Sequence, residues 1–181
     1  MVTLLTSRVG VKGLRILDAG CGEGKNAVYL AQRGAHVIAI DVSSQAISNA
    51  LSHWPSHPNI TWSQDDITQL DLGAERFDIV IAYGLLHCMA NTDVVFTTIR
   101  KIQNATVAKG YNILVALNDR FQDLSGHPGF APCLVAHSHY IRAYDPWELL
   151  HASDSNLTEI HPHNRIPHTH SITRLLARSR Q

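Results

Sequence analysis

Short apolar runs and amphipathic stretches take turns along the first two-thirds of this chain. The runs cover 14–17, 36–40, 60–63, 77–83 and 111–117, and isoleucine, valine and aromatic residues recur in them. Each is too short to make a helix and reads as a buried strand. Between them apolar positions fall at helical spacing: Ala27, Val28, Leu30 and Ala31; then Ala46, Ile47 and Ala50; then Val94, Val95, Ile99, Ile102 and Ala105. Gly34 is placed to close the first helix, and Ser43-Ser44 to cap a second that ends near His53. The third is predicted over 93–108, with Lys109-Gly110 stopping it. Residues 1–13 are weakly patterned, so the fold is expected to begin with its first strand. Strands alternating with helices in this way predict a parallel sheet covered on both faces.

After Asn118 the pattern changes. Residues 119–139 are rich in Gly, Pro and His, which predicts a long loop acting as a lid or binding loop. The segment 145–150 reads as a short helix with Pro146 in its first turn. Two further strands, 157–160 and 171–176, are predicted to pair as a hairpin through Asn164-Arg165-Ile166-Pro167. The whole, 1–181, is expected to be one domain. Its first half, about 14–90, carries the cofactor, and the loop and hairpin, about 118–178, face the acceptor.

Chemistry is concentrated where the first strand ends. Asp18 closes the strand, and Gly20, Gly22 and Gly24 follow at alternate positions. Glycines there allow positive φ and let a ligand lie against the main chain. The next strand ends at Asp41, about 20 residues past the turn, where an acid can take both ribose hydroxyls of a nucleoside. An adenosine compound is therefore expected, and two details decide against a dinucleotide. The spacing is Gly-x-Gly-x-Gly, not Gly-x-Gly-x-x-Gly, and Asp18 would repel a pyrophosphate and favour a cation. The segment Leu17-Asp18-Ala19-Gly20-Cys21-Gly22-Glu23-Gly24 resembles the first motif of the class I S-adenosylmethionine-dependent methyltransferases. That cofactor carries a sulfonium and an ammonium and no phosphate.

The resemblance implies an α/β fold that is Rossmann-like and doubly wound. Its sheet would have seven mostly parallel strands, ending in a C-terminal antiparallel hairpin. It also implies that the main chain of Ala19, Gly20 and Gly22 faces the methionine moiety, with Asp18 supporting the ammonium. Asp41 would take the ribose, Val42 would pack on adenine, Asp66 would accept the adenine amino group, and Ile67 would offer its N–H. Asp65 competes with Asp66 for that role. Asn26 is placed to reach the carboxylate or to cap its own helix. Tyr83 ends the fourth strand beside the cofactor, and His87, a few residues on, is a candidate general base for the transfer.

The second half carries a closer likeness. Lys109-Gly110-Tyr111-Asn112, Trp147-Glu148, Glu159-Ile160-His161, Asn164-Arg165-Ile166 and Leu175-Leu176-Ala177-Arg178 follow the pattern of the tellurite-resistance (TehB-like) methyltransferases. This resemblance implies that His161 and Arg165 lie near the acceptor, binding an oxyanion or moving a proton. The chain departs from that pattern in reading His161-Pro162-His163 where the family has His-Arg. It also carries only a short stretch before the first strand, so a homodimer partner could be needed to cover the cofactor.

Twelve histidines include the pairs His137/His139, His161/His163 and His168/His170. Along strands the last two pairs could meet across the hairpin, yet no carboxylate or cysteine accompanies them at metal spacing. No metal ligand is therefore assigned, and a histidine pocket for an oxyanion substrate is the preferred use. Lysine plus arginine and aspartate plus glutamate number 15 each, so neither nucleic acid nor a membrane is expected as a partner. Three cysteines form no disulfide framework, which suits a cytoplasmic protein. A small-molecule acceptor is expected, either a soft chalcogen anion or the oxygen or nitrogen of a metabolite. A module that binds the cofactor without turnover is the alternative.

Overall fold

Neighbouring side chains of the first strand, Arg15–Ala19 (β1), already divide the interior in two. Ile16 joins one group of buried residues and Leu17 the other, as a strand's two-residue period requires. The computed structural model describes residues 1–55, 57–74, 76–160 and 165–180. A helix at Val2–Thr6 (α1) precedes β1. Then come α2 (Lys25–Ala31), β2 (His36–Asp41), α3 (Ser44–His53), β3 (Ile60–Gln64) and β4 (Phe77–Tyr83). A 3-10 turn at Leu86–Cys88 leads to α4 (Thr92–Asn104), β5 (Thr106–Gln122), α5 (His137–Ala143), β6 (Glu148–Glu159) and β7 (His168–Arg178).

The seven strands form one sheet in the order β3-β2-β1-β4-β5-β7-β6. The first five run parallel, while β7 lies antiparallel between β5 and β6. This is the expected class, a Rossmann-like doubly wound α/β fold closed by an antiparallel pair. On one face Val2 and Leu5, Leu30 and Ala31, and Ile47 bury against Ile16, Val37, Ile79 and Ile113. On the other, Val95, Ile99, Ile102 and Tyr140 cover Leu17, Val80, Leu114 and Leu175. Burial of one such aliphatic side chain stabilises by about 1.5–3 kcal/mol. The chain runs outward from β1 to β3 and returns to the other side of β1 as β4. That reversal opens a crevice at the carboxyl ends of β1 and β4, where open α/β sheets bind ligands.

Several boundaries follow the sequence pattern closely. Ser43 caps α3 by accepting the Ala46 N–H at 3.2 Å. Gly34, at φ +85°, lets Ala35 N–H reach back to Leu30 O and ends α2. Others differ. The weakly patterned start contains α1, with Val2 and Leu5 buried. The helix predicted over 93–108 ends at Asn104, because Thr106 starts β5 and spends its hydroxyl on Ile102 O. Lys109-Gly110 is then an irregularity inside β5, with Lys109 at φ +61° and the register to β4 shifting there. The long loop predicted over 119–139 is shorter, since β5 runs to Gln122 and α5 starts at His137. The helix predicted over 145–150 is instead a turn into β6, whose polar stretch Ser153-Asp154-Ser155-Asn156 hides an edge strand. The hairpin is present, with Glu159 opposite His168. His161, His163 and Asn164 lie outside the described residues. No helix among the described residues is long and apolar enough to cross a membrane.

Gly110 packs where β4 and β5 meet, and a Cβ there would stand 2.8 Å from both Asp78 O and Val107 O. Backbone cannot yield as a side chain can, so Gly110→Ala is expected to lose about 1–3 kcal/mol of stability. Urea unfolding measures this, and an unchanged midpoint would contradict the packing.

Candidate active site

Three hydrogen bonds to the end of β2 fold the glycine turn over the crevice. Gly20 N–H and Cys21 N–H both donate to Ile40 O at 2.9 Å, and Gly22 N–H donates to Asp41 Oδ2 at 2.8 Å. Asp41 Oδ1 accepts the Ser43 N–H at 2.9 Å, so this carboxylate also orders the start of α3. Gly20 adopts φ +69°, and a Cβ on it would stand 2.9 Å from Leu85 Cδ1. Gly24, at φ +82°, holds the N-cap position of α2 with no side-chain cap, so Asn26 does not cap its own helix. A Cβ on Gly24 would run into the Trp62 ring.

Asp18 stands beneath this turn, 1% exposed, and among the described residues neither carboxylate oxygen makes a well-formed hydrogen bond, the Ala27 N–H giving only a weak one. Burial pushes its pKa up to about 7; the Ala27 N–H offsets part of the rise and the Asp41 charge adds to it. A buried, unpartnered carboxylate costs free energy unless a proton or a cation meets it. An ammonium group arriving at the turn fits that need.

Beyond the turn lies a cavity of about 680 Å³, within the usual range for a small-molecule site. Its lining brings together Gly20, Asp41, Val42, Asp66 and Ile67, all expected there, and Asp65 as well. Val42 is 68% exposed, an apolar side chain left in water where a flat ring could cover it. Asp65 is tied to the Ser63 hydroxyl. Asp66 Oδ1 accepts from Thr68 N–H and Oγ1, each at 2.8 Å, which shapes the loop after β3. Lys101 of α4 holds that loop by donating to Ile67 O, Thr68 O and Leu70 O at 3.0, 2.8 and 3.0 Å. Leu85, Met89 and Lys101 also line the cavity and were not expected. Nothing in their local sequence distinguishes them from helix and loop residues.

Asp18, Ala19, Gly22 and Asn26 shape the turn without lining the cavity. Tyr83 ends β4, 41% exposed, and Gly84 and Leu85 line the wall in its place. His87, half-buried, does not line the cavity either, and accepts the Leu117 N–H at Nδ1, 3.2 Å away. The hydrogen of its neutral ring is therefore on Nε2. Burial, with His170 and His127 nearby, lowers its pKa to about 4. That state suits a hydrogen-bond donor better than the proton acceptor expected for it. Arg165 is exposed, at φ +53°, and does not line the cavity. His161 falls outside the described residues. His168 and His170 are joined by His127 from the predicted loop and by Glu159, a carboxylate that sequence spacing did not reveal.

A family model described as a methyltransferase domain matches residues 16–110, more than half of the chain. The chain belongs to this family. S-adenosylmethionine is the cofactor of this methyltransferase, and the glycine turn, the bare Asp18 and the acids of the cavity fit it. The matched span carries the crevice and stops before the loop after β5 and the β6–β7 hairpin. A methyltransferase of Schizosaccharomyces pombe is 40% identical over 79 residues, 43% of this chain and 54% of that protein. The magnesium-protoporphyrin O-methyltransferase of Rhodobacter capsulatus is 40% identical over 76 residues, 41% of this chain and 33% of that protein. The chain thus spans about half the length, or less, of these curated relatives. Among solved structures, TehB from Haemophilus influenzae superposes with a TM-score of 0.82 at 21% identity, covering 98% of this chain and 61% of that one. A methyltransferase from Methanosarcina mazei superposes with 0.78 at 16% identity, covering 97% and 96%. These likenesses show the fold.

Two substitutions separate charge from scaffold in this methyltransferase. Asp18 holds a proton in the folded state between its unfolded pKa near 4 and about 7. The stability it contributes is full below about pH 4 and is lost as pH rises through 7. Asp18→Asn is expected to remove that slope, raise the urea midpoint at pH 8 and weaken S-adenosylhomocysteine binding; a midpoint that falls at pH 8 contradicts this. Asp41→Ala is expected to cost at least tenfold in calorimetric affinity for S-adenosylhomocysteine, about 1.4 kcal/mol. Unchanged affinity would remove the ribose from Asp41.

Proposed function

We propose that this methyltransferase acts on a small molecule that reaches the site as a soft chalcogen anion, such as a thiolate, a selenolate or a tellurium oxyanion. The state of His87 carries the reading. With Nδ1 engaged by Leu117 N–H, the ring offers a donor and no ready base. A thiolate or selenolate is already deprotonated and needs none.

S-adenosylmethionine supplies a methyl on a sulfonium, and the acceptor lone pair takes that methyl while sulfur keeps the bonding electrons as a neutral thioether. The chain's part is to bind, align and keep water out. Asp41, Val42, Asp66 and Ile67 would hold the adenosine, and Asp18 the ammonium. Leu85 and Met89 give the cavity an apolar wall. Alignment of two reactants contributes up to roughly 7–11 kcal/mol. His87, outside the cavity lining, would steady from Nε2 an anion that extends past that wall, without removing a proton.

Oxygen methylation is the second reading, supported by relatives named as magnesium-protoporphyrin and ubiquinone-biosynthesis O-methyltransferases. An acceptor panel with labelled cofactor separates the two, using thiols, selenite, tellurite and small phenols. Turnover is expected with the chalcogen acceptors. His87→Gln, which keeps a donor, is expected to hold most of the rate, and His87→Ala to lose about tenfold or more. Turnover with phenols alone would replace this reading by oxygen methylation. Silence across the panel with cofactor affinity intact would make the chain a binding module.

A further inference from the structure

The acceptor-side histidines form a cluster that methyl transfer leaves unused. His127 comes from the turn after β5, Glu159 ends β6, and His168 and His170 begin β7. His168 and Glu159 face each other in register, and alternation along β7 puts His168 and His170 on one side. One donor atom from each of the four lies within 4.8 Å of the others. His127 Nε2 and His168 Nε2 are 3.1 Å apart and share a hydrogen bond, which a bound ion would replace. Glu159 Oε1 is 3.6 Å from His168 Nε2, 3.7 Å from His170 Nε2 and 3.9 Å from His127 Nε2. Zinc–nitrogen bonds of about 2.0–2.1 Å in a tetrahedron place ligand atoms roughly 3.3–3.4 Å apart. To reach that spacing the 3.1 Å pair would open slightly and the wider pairs, none beyond 4.8 Å, would close.

The far nitrogens decide what the near ones can do. His168 Nδ1 lies 2.7 Å from Ile166 O, which can only accept, so the hydrogen is on Nδ1. For His170 the partner is Gln122 Oε1 at 2.7 Å. Gln122 cannot be turned over, because its amide NH2 donates to Asn118 O at 2.7 Å and Ser171 O at 2.9 Å. His170 therefore donates from Nδ1 as well, and its Nε2 presents a lone pair. That Nε2 is buried, in a residue 1% exposed, and has no hydrogen-bond partner among the described residues. It faces a carboxylate oxygen 3.7 Å away, acceptor against acceptor, and a cation between them would suit both. Second partners that orient imidazoles in this way are the normal surroundings of metal-binding histidines. Gly126 makes room, since a Cβ there would strike the His168 ring.

We propose that His127, His168 and His170 through Nε2, with Glu159 through Oε1, bind a divalent metal ion of the zinc type. Imidazole nitrogens with one carboxylate suit zinc better than magnesium or calcium. Four protein ligands close the shell, as in structural sites. The ion fastens the turn carrying His127 to the β6–β7 hairpin. Phe130 on the same turn packs edge-on against His87, ring centres 6.0 Å apart, so the metal also braces the packing around His87. The site stands on its own geometry and does not require the chalcogen reading.

Tag-free protein, stripped with a chelator and checked by circular dichroism, tests this by calorimetry with zinc chloride and by absorption with cobalt(II). One zinc ion per chain is expected, with protons released on binding and the intense visible bands of four-coordinate cobalt. His127→Ala and Glu159→Gln change partly exposed side chains, so their folds should survive; both are expected to abolish the bands. Gln122→Ala, which touches His170 only at its far nitrogen, is expected to weaken zinc 10–100-fold. His36→Ala, an exposed histidine elsewhere, should change nothing. The proposal fails if zinc does not bind, if His127→Ala binds it as tightly as the parent, or if His36→Ala loses as much.

Discussion

One carbonyl and one carboxylate at the tip of β2 hold the turn after β1 in place. Ile40 O takes the N–H groups of Gly20 and Cys21, and Asp41 takes that of Gly22. Buried backbone donors must find partners. Here they find them on the neighbouring strand, so the turn's shape depends on the parallel pairing of β1 with β2. The reversal of strand order beside β1 then opens a crevice that the turn overlooks. The cavity, the place of α2 and the approach of Leu85 over Gly20 all follow from that anchorage.

The same region stores an electrostatic cost. Asp18 is buried without a well-formed hydrogen bond among the described residues, and Asp41 lies close enough to raise its pKa further. A protein shaped only for stability would place an apolar or amide side chain there. Keeping the acid makes sense where a cationic ligand completes the site, the usual exchange of stability for function. Lys101 works in the opposite sense. Its three hydrogen bonds to loop carbonyls rigidify the segment that presents Asp66 and Ile67.

A run of hydrogen-bonded polar groups ties the antiparallel strands together. Asn118 is fully buried and joins β5 to Asp154 of β6 and Thr173 of β7. Arg120 adds a forked pair to Asp154. Gln122 and Ser171 continue the network to His170. Such networks specify one arrangement when every member is satisfied. The exception among the described residues, His170 Nε2 at its end, is the atom the proposed metal ion would satisfy.

Local order along the chain was enough for the parallel half. Runs such as Phe77–Tyr83 and the alternation of strand with helix follow from burial of short apolar segments. The glycine turn with Asp18 and Asp41 announces a cationic nucleoside because its chemistry is local. The antiparallel half was harder to read, because β6 is an edge strand whose Ser-Asp-Ser-Asn stretch looks like a loop. Its partner β7 supplies the hydrogen bonds that make it a strand. The helix over 145–150 failed for that reason, and α4 ended early because Thr106 was already engaged in β5. Only the tertiary structure could join His127, Glu159, His168 and His170, which are separated in sequence and converge through the pairing of β6 with β7. Spacing carries information about neighbours on one element, and sites built across elements are decided when those elements pack.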